Sequence, residues 1–155
     1  MTINMDYKPT LLETIEWKIK RIVNTFKWKI KQIKFFYQRG KRGWSDYDVW
    51  DMDCYLISII LPMLKRLREK SNSFPVNMTE KKWNLILSDM IEAFEAAERM
   101  KNDDYYKEVS GDSLEAIKNA SKKEIRMWHK LYLKDLKIFE KKAKVFIKYF
   151  HHLWD

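Results

Sequence analysis

Residues that interrupt secondary structure are scarce in this sequence. It has three glycines and three prolines in 155 residues, whereas average usage gives about 11 and about 8. Few breakers mean few connections, and few connections over this length mean long elements. Hydrophobic residues make up 46% of the chain, which excludes disorder throughout. A chain of this size can therefore bury a core without disulfides or metals.

The sequence is equally poor in features of secreted or membrane-spanning proteins. Its one cysteine, Cys54, cannot form an intramolecular disulfide, so we expect a reducing compartment and a small core residue at that position. The longest apolar run covers residues 55–64, and a membrane helix needs about 20 such residues. Residues 1–9 carry no apolar signal segment. We therefore expect a cytosolic protein without a membrane span.

Arrangements of catalytic or metal-binding side chains are also missing. Three glycines cannot supply a Gly-rich phosphate loop, and adjacent His151 and His152 point to different faces of a helix. An acidic cluster consists of Asp46, Asp48, Asp51 and Asp53. Carboxylates can hold a divalent metal, but helix positions two apart diverge by about 200°, so capping explains most of the cluster. We expect no enzyme activity, no catalytic residue, no metal and no cofactor.

Apolar residues recur at helical spacing in four segments, beginning with a basic N-terminal helix over residues 10–39. Thr10 and Glu13 form a capping box at its start, and we expect it to end before Gly40. Its apolar stripe comprises Leu12, Ile15, Ile19, Ile22, Phe26, Ile30, Ile33 and Tyr37. Steps of three and four residues keep these side chains on one helix face.

The remaining pattern predicts three further helices. The second starts with Ser45 as its N-cap and runs to about Lys70, with Pro62 kinking or breaking it. The third covers residues 80–102 after a Thr79 cap, and the last runs from about Ser113 almost to the end, over about 40 residues. We predict an all-α fold: an antiparallel bundle of about four long helices, one kinked at Pro62, forming a single domain over residues 1–155.

The net charge of +9 is concentrated in one segment. Residues 16–42 contain ten basic residues and one acidic residue, so this segment alone carries +9. A focused basic surface attracts nucleic acid, nucleotides, acidic lipid headgroups or an acidic protein. Trp17, Trp28 and Phe35 lie among the lysines, where aromatic rings can stack bases or enter a membrane interface. The alternative is a solvated face whose aromatics close the bundle or a dimer.

A second unusual segment begins at Gly43, where two tryptophans, two tyrosines and several acids crowd one helix start. Arg39, Lys41 and Arg42 precede it, so aromatic, acidic and basic groups together could hold a nucleobase and a phosphate. The predicted ligand-binding residues are Arg39, Arg42, Trp44 and Trp50, joined by Lys148 and Tyr149 if the C-terminal helix end packs there. The structural alternative is a helix-entry plug, in which the tryptophans staple the turn and the aspartates cap it.

The same segment carries a family resemblance. Gly43-Trp44-Ser45-Asp46-x-Asp48-x-Trp50 and the ending Phe146-x-Lys148-Tyr149-Phe150-x-x-Leu153-Trp154-Asp155 resemble a family of small proteins encoded by tailed bacteriophages. That family has Gly-Tyr-Pro where this chain has Ser73-Phe74-Pro75, and the basic first helix lies outside the resemblance. The family has no assigned activity, so it supplies no catalytic residue. The resemblance implies an accessory protein in the cytoplasm of a bacterial host.

Our first hypothesis is a non-enzymatic phage protein that binds an anionic ligand and sequesters a nucleotide second messenger of host anti-phage defence. The alternative is an interaction protein whose basic N-terminal helix binds nucleic acid or an acidic host protein, and a third is a virion or assembly component. A closed pocket would favour the small ligand, and an open basic stripe would favour a polymer. Aromatic residues, at 15%, exceed the needs of one bundle core, so we also expect a homo-oligomer.

Overall fold

The protein is described by a computed structural model that covers residues 10–70, 73–103, 105–111 and 113–154. Helices account for about 81% of these residues, and none of them lies in a strand. The helices are α1 (Leu11–Arg42), α2 (Met52–Lys70), α3 (Glu80–Asn102), α4 (Tyr105–Ser110), α5 (Leu114–Lys118) and α6 (Lys122–Lys148), with a short 3-10 helix at Phe150–His152. The predicted all-α class with four long helices is confirmed. The antiparallel order and the kink at Pro62 stay predictions.

The chain divides into two compact units, Met1–Asp51 and Met52–Asp155, here called the N-terminal and C-terminal units. The prediction of a single domain stays a prediction. The prediction about a secretory signal concerns residues 1–9, which lie outside the described residues, as does Asp155 at the end of the family motif. None of the described helices is both long and apolar enough to cross a membrane.

The N-terminal unit consists of α1 and the turns that follow it. Thr10 and Glu13 form the predicted reciprocal capping box. The predicted end before Gly40 is wrong, because the helix continues through Gly40 to Arg42. Gly43 ends it with φ 83°, a left-handed conformation that glycine adopts without steric cost, and its N–H bonds to the Arg39 carbonyl. None of the residues of α1 is buried.

The predicted start of the second helix at Ser45 is wrong. Residues 46–51 form successive turns, and α2 begins only at Met52. The Ser45 hydroxyl donates to the Asp48 carboxylate at 2.8 Å and does not accept a helix N–H, so the serine stabilises a turn. Pro62 lies inside α2, which continues on both sides of it to Lys70.

In the C-terminal unit, α3 is the central helix and packs against both α2 and α6. It covers the predicted range, and the Thr79 hydroxyl accepts from the Lys82 N–H as the predicted N-cap. The buried core comprises Ile57, Leu61, Leu64, Trp83, Leu87, Met90, Ile91, Phe94 and Ala97. Six of these residues lie on α3 at steps of one, three or four residues, so the apolar periodicity of this segment marks its buried side.

The predicted last helix of about 40 residues is wrong. The chain instead forms α5, a break at residues 119–121, and α6. Ser121 and Glu124 form a second reciprocal capping box, which starts α6 eight residues later than predicted. The hydrogen bonds from Ser121 lower the pKa of the Glu124 carboxyl.

A buried carboxylate ties α3, α4 and α6 together. Asp135 on α6 accepts from Arg99 Nε at 2.9 Å, from Arg99 Nη2 at 2.7 Å and from the Tyr105 hydroxyl at 2.9 Å. The Arg99 guanidinium lowers the pKa of Asp135, and burial together with Asp135 raises the pKa of Tyr105. Because every one of these bonds joins different helices, the network fixes how the three helices pack.

Candidate anion-binding surfaces

The first candidate is the predicted site at the turn after α1, which is built around Asp48. This carboxylate is 5% exposed and accepts from the Ser45 backbone N–H at 2.7 Å. Arg39 Nε donates to it at 2.9 Å, and Arg39 Nη2 donates to its second oxygen. The Arg39 guanidinium is the main reason that the pKa of Asp48 lies well below its usual range. Arg39 therefore already holds a carboxylate bidentately.

Arg42 lies at the same turn with a different set of partners. Its guanidinium stacks over the Trp44 ring, 3.8 Å from the ring centroid, while Nε donates to the Trp44 carbonyl at 3.0 Å. Nη2 pairs with the exposed carboxylate of Asp46. Gln38 donates to Asp46 at 2.7 Å, and this bond, with that of Arg42, lowers the pKa of Asp46 to about 2. Both predicted arginines are thus engaged by aspartates of the following turn.

Tyr47 and Trp50 are the other two aromatic residues of this turn. Tyr47 packs on Phe35 with ring centroids 5.5 Å apart and meets Trp28 edge-on at 6.1 Å. Trp50 is 87% exposed. A hollow of about 320 Å³ is lined by Phe35, Asp46, Tyr47, Trp50 and Asp51. Its aromatic walls suit a ring, but two carboxylates at its rim repel an anion.

Arg39, Arg42, Trp44 and Trp50 all belong to the N-terminal unit, where Arg42 contacts Trp44 but the hollow beside Trp50 is lined by neither arginine. Lys148 and Tyr149 belong to the C-terminal unit, at the end of α6. There the Lys148 ammonium lies 5.3 Å from the Tyr149 ring centroid, and that ring meets Trp83 edge-on at 6.0 Å. The prediction that these two residues join the site stays a prediction.

The second candidate is a face of α1 that we call the aromatic–basic face: Trp17, Lys20, Arg21, Asn24 and Trp28. These residues line a shallow hollow of about 500 Å³ together with Thr25. Trp17 is 58% exposed and Trp28 is 48% exposed. The Arg21 guanidinium lies 5.4 Å from the Trp17 ring centroid. The sequence placed these tryptophans among lysines, but the predicted site did not include them.

Most cations of α1 lack an acidic partner among the described residues. Those without an ion pair to a described carboxylate are Lys18, Lys20, Arg21, Lys27, Lys29, Lys31 and Lys41. Lys20, Lys27 and Lys31 are exposed. Lys20 belongs to the aromatic–basic face, and Lys27 and Lys31 follow it on the same side of α1 at steps of seven and four residues. The surface is therefore an open basic stripe bordered by two half-exposed tryptophans.

In the described part of the chain, no group of three His, Cys, Asp or Glu side chains could hold a metal ion. The residue that sequence reasoning missed is Asp135, whose role is to stabilise the fold. The sequence contained a signal for it, since Asp135 lies three residues after Tyr132 and four before Phe139, the spacing of one helix face. An acid at helical spacing within an apolar face is buried only with partners.

Comparisons of the chain with protein-family models, with curated proteins and with solved structures find no match. The resemblance to a phage family accordingly stays a prediction.

Proposed function

We propose that this is a non-enzymatic binding protein that holds single-stranded nucleic acid on the aromatic–basic face of α1. The observation that carries the proposal is the arrangement of Trp17 and Trp28, two half-exposed tryptophans on one helix face, with Lys20 and Arg21 between them. Eleven residues of helix separate the two rings by ~16 Å along the axis. Two stacking positions within one cationic surface suit a strand better than a single nucleotide.

The physical chemistry of the face matches that ligand. Every base presents a π-face to a tryptophan, and one such stack contributes about 1–3 kcal/mol without regard to sequence. The α1 lysines that have no ion pair with a described carboxylate can neutralise phosphates and release counterions. This supplies affinity that falls as the salt concentration rises. The shallow hollow is open, and an open surface lets the strand enter and leave at both ends.

The turn after α1 is the second candidate surface, for the nucleotide second messenger of our first hypothesis. The exposure of Trp50 and the Arg42–Trp44 stack favour it. A phosphate would compete there with Asp46 and Asp48 for both arginines. Because of this competition, we favour single-stranded nucleic acid on α1 over a nucleotide at the turn. A phage accessory role in a bacterial cytoplasm remains part of the proposal through the family resemblance alone.

Fluorescence anisotropy with a labelled 15-nucleotide single strand tests the proposal. Trp17→Ala should weaken binding roughly 5- to 100-fold, the loss of one stacked base. Trp154→Ala is the matched control, because Trp154 is 57% exposed and belongs to the C-terminal unit. It should leave binding unchanged, and circular dichroism should show equal helix content in both variants.

Equal binding by the Trp17→Ala and Trp154→Ala variants would refute the aromatic–basic face as the site. Unlabelled cyclic dinucleotide, added as competitor, separates the two candidates. If it binds tightly and Arg42→Ala abolishes that binding, the turn is the site. If neither strand nor nucleotide binds, the proposed function is wrong.

A further inference from the structure

The opposite side of α1 carries a second feature, which nucleic-acid binding does not use. Trp17 lies nine residues before Phe26, which at 100° per residue places it about 180° around the helix. The apolar stripe defined above therefore faces away from the aromatic–basic face. Its eight side chains are between 45% and 74% exposed. Large apolar side chains in one continuous row mark a contact surface.

The spacing of the stripe fits a straight partner helix of equal length. Its eight residues cover 25 residues in seven steps, about 3.6 residues per step, so the row follows the axis of an ordinary α-helix. Every step is three or four residues in either direction, so an antiparallel copy presents a row of the same spacing. An antiparallel pair centred between Asn24 and Thr25 sets Leu12 opposite Tyr37 and brings Ile15 within one residue of Ile33 of the second copy. Ile19 then faces Ile30, and Ile22 faces Phe26.

Charge decides the direction of such a pair. Residues 10–24 contain three basic and two acidic residues, a net charge of +1, whereas residues 25–42 contain seven basic residues and no acid, a net charge of +7. A parallel pair would set the two +7 halves side by side. An antiparallel pair sets each +7 half beside a +1 half, which reduces the repulsion.

One complementary pair follows from the antiparallel register. Glu16 is the only acid in residues 16–42, and it flanks the stripe on the same side as Lys34, five turns further along the helix. In the antiparallel register it lies within one residue of Lys34 of the second copy, which the long lysine side chain can span. The Lys34 ammonium is 3.4 Å from Asp46 Oδ2, and both groups are more than half exposed, so the flexible lysine can reach either acid.

We propose that α1 pairs antiparallel with α1 of a second copy through the apolar stripe, with Glu16 facing Lys34. The stripe is ~38 Å long, and eight large side chains of this exposure present an area on the order of the ~800 Å² per partner that stable interfaces bury. The pairing leaves both aromatic–basic faces outside, on opposite sides of the dimer. It stands independently of what those faces bind.

Disulfide trapping in the full chain tests the direction. In a Cys54→Ser background, Ile15→Cys and Ile33→Cys are prepared as differently tagged chains, mixed and mildly oxidised. The antiparallel pair predicts the mixed 15–33 disulfide as the main product and little 15–15 product, because two Ile15 positions are ~27 Å apart along the axis. Light scattering should give twice the chain mass of 19.0 kDa.

Charge reversal tests the register. Glu16→Lys should weaken the dimer roughly tenfold, and adding Lys34→Glu should restore it, since the restored pairs lie between copies. A predominant 15–15 disulfide, or no rescue by the second reversal, would overturn the antiparallel register. A protein that is monomeric at about 100 μM and sediments with anionic vesicles would overturn the second copy as occupant and point to a membrane surface.

Discussion

Replacing Arg39 separates the structural role of the turn after α1 from a ligand-binding role. The buried Asp48 carboxylate accepts two hydrogen bonds from Arg39 and two from Ser45. Arg39→Ala removes the only cation that pairs with Asp48 among the described residues and leaves the two bonds from Ser45 in place. The turn should therefore open more often without unfolding α1.

The magnitude follows from the geometry. Charge-assisted hydrogen bonds contribute about 1.5–3 kcal/mol, and the bidentate pair lies at a carboxylate that is almost fully buried. The Arg39 side chain itself is partly exposed, so solvent screens part of that energy. We expect a local loss of about 2 kcal/mol, which corresponds to roughly 30-fold faster opening at 1.4 kcal/mol per tenfold. Arg42→Ala is the matched control, because its partner Asp46 is exposed.

Hydrogen exchange with mass spectrometry measures this opening directly. Amides of residues 44–51 should exchange roughly 30-fold faster in Arg39→Ala than in the wild type, and close to the wild-type rate in Arg42→Ala. Exchange in α3 should not change, because that helix belongs to the C-terminal unit. Equal exchange in the two variants would refute a stabilising role of the Arg39–Asp48 pair.

Three further predictions concern stability. Asp135→Asn should destabilise the C-terminal unit by about 1.5–3 kcal/mol in urea unfolding. Asp89→Asn should change little, because Asp89 is about half exposed and Lys142 keeps its second partner, Glu92. Equal effects of the two substitutions would contradict the stabilising role of the buried network. Leu87→Ala should cost about 2–5 kcal/mol, against little for the exposed Leu85→Ala. Folded-state pKa values of Asp48 and Asp135 lie below their ordinary value of 3.8; their stabilisation is therefore complete above about pH 4 and is lost as the pH falls below it. Circular dichroism should stay constant from about pH 7 to 5, and Asp135→Asn should reduce the acid sensitivity.

The sequence predicted those parts of the fold that depend on local patterns. The Thr10 capping box and the Thr79 cap are local hydrogen bonds between residues three apart, and both helices begin where these residues predict. Ser45 shows the limit of this reasoning. A serine hydroxyl can form a local hydrogen bond in a turn or cap the start of a helix, so the residue type alone does not decide between the two. The structure shows that the Ser45 hydroxyl donates to Asp48 within a turn.

Pairing across a turn and burial depend on the folded chain. Arg39 and Asp48 are nine residues apart, and no short motif indicates that they pair. Periodicity predicted which apolar side chains share one face of α1 and which share one face of α3. It could not show that the α3 face is buried while no residue of α1 is buried, because a periodic pattern does not specify what covers it.

The salt dependence of single-strand binding tests the central claim most directly. The affinity of the wild type and of a Lys20→Gln, Lys27→Gln, Lys31→Gln variant is measured from about 50 to 200 mM salt. The control carries Lys123→Gln, Lys130→Gln and Lys137→Gln, which remove the same charge from exposed positions of α6. If α1 holds the strand, the slope of log K against log salt should fall by about 2–3 in the α1 variant and stay unchanged in the control. Equal slopes in all three proteins would contradict the assignment of α1 as the binding surface.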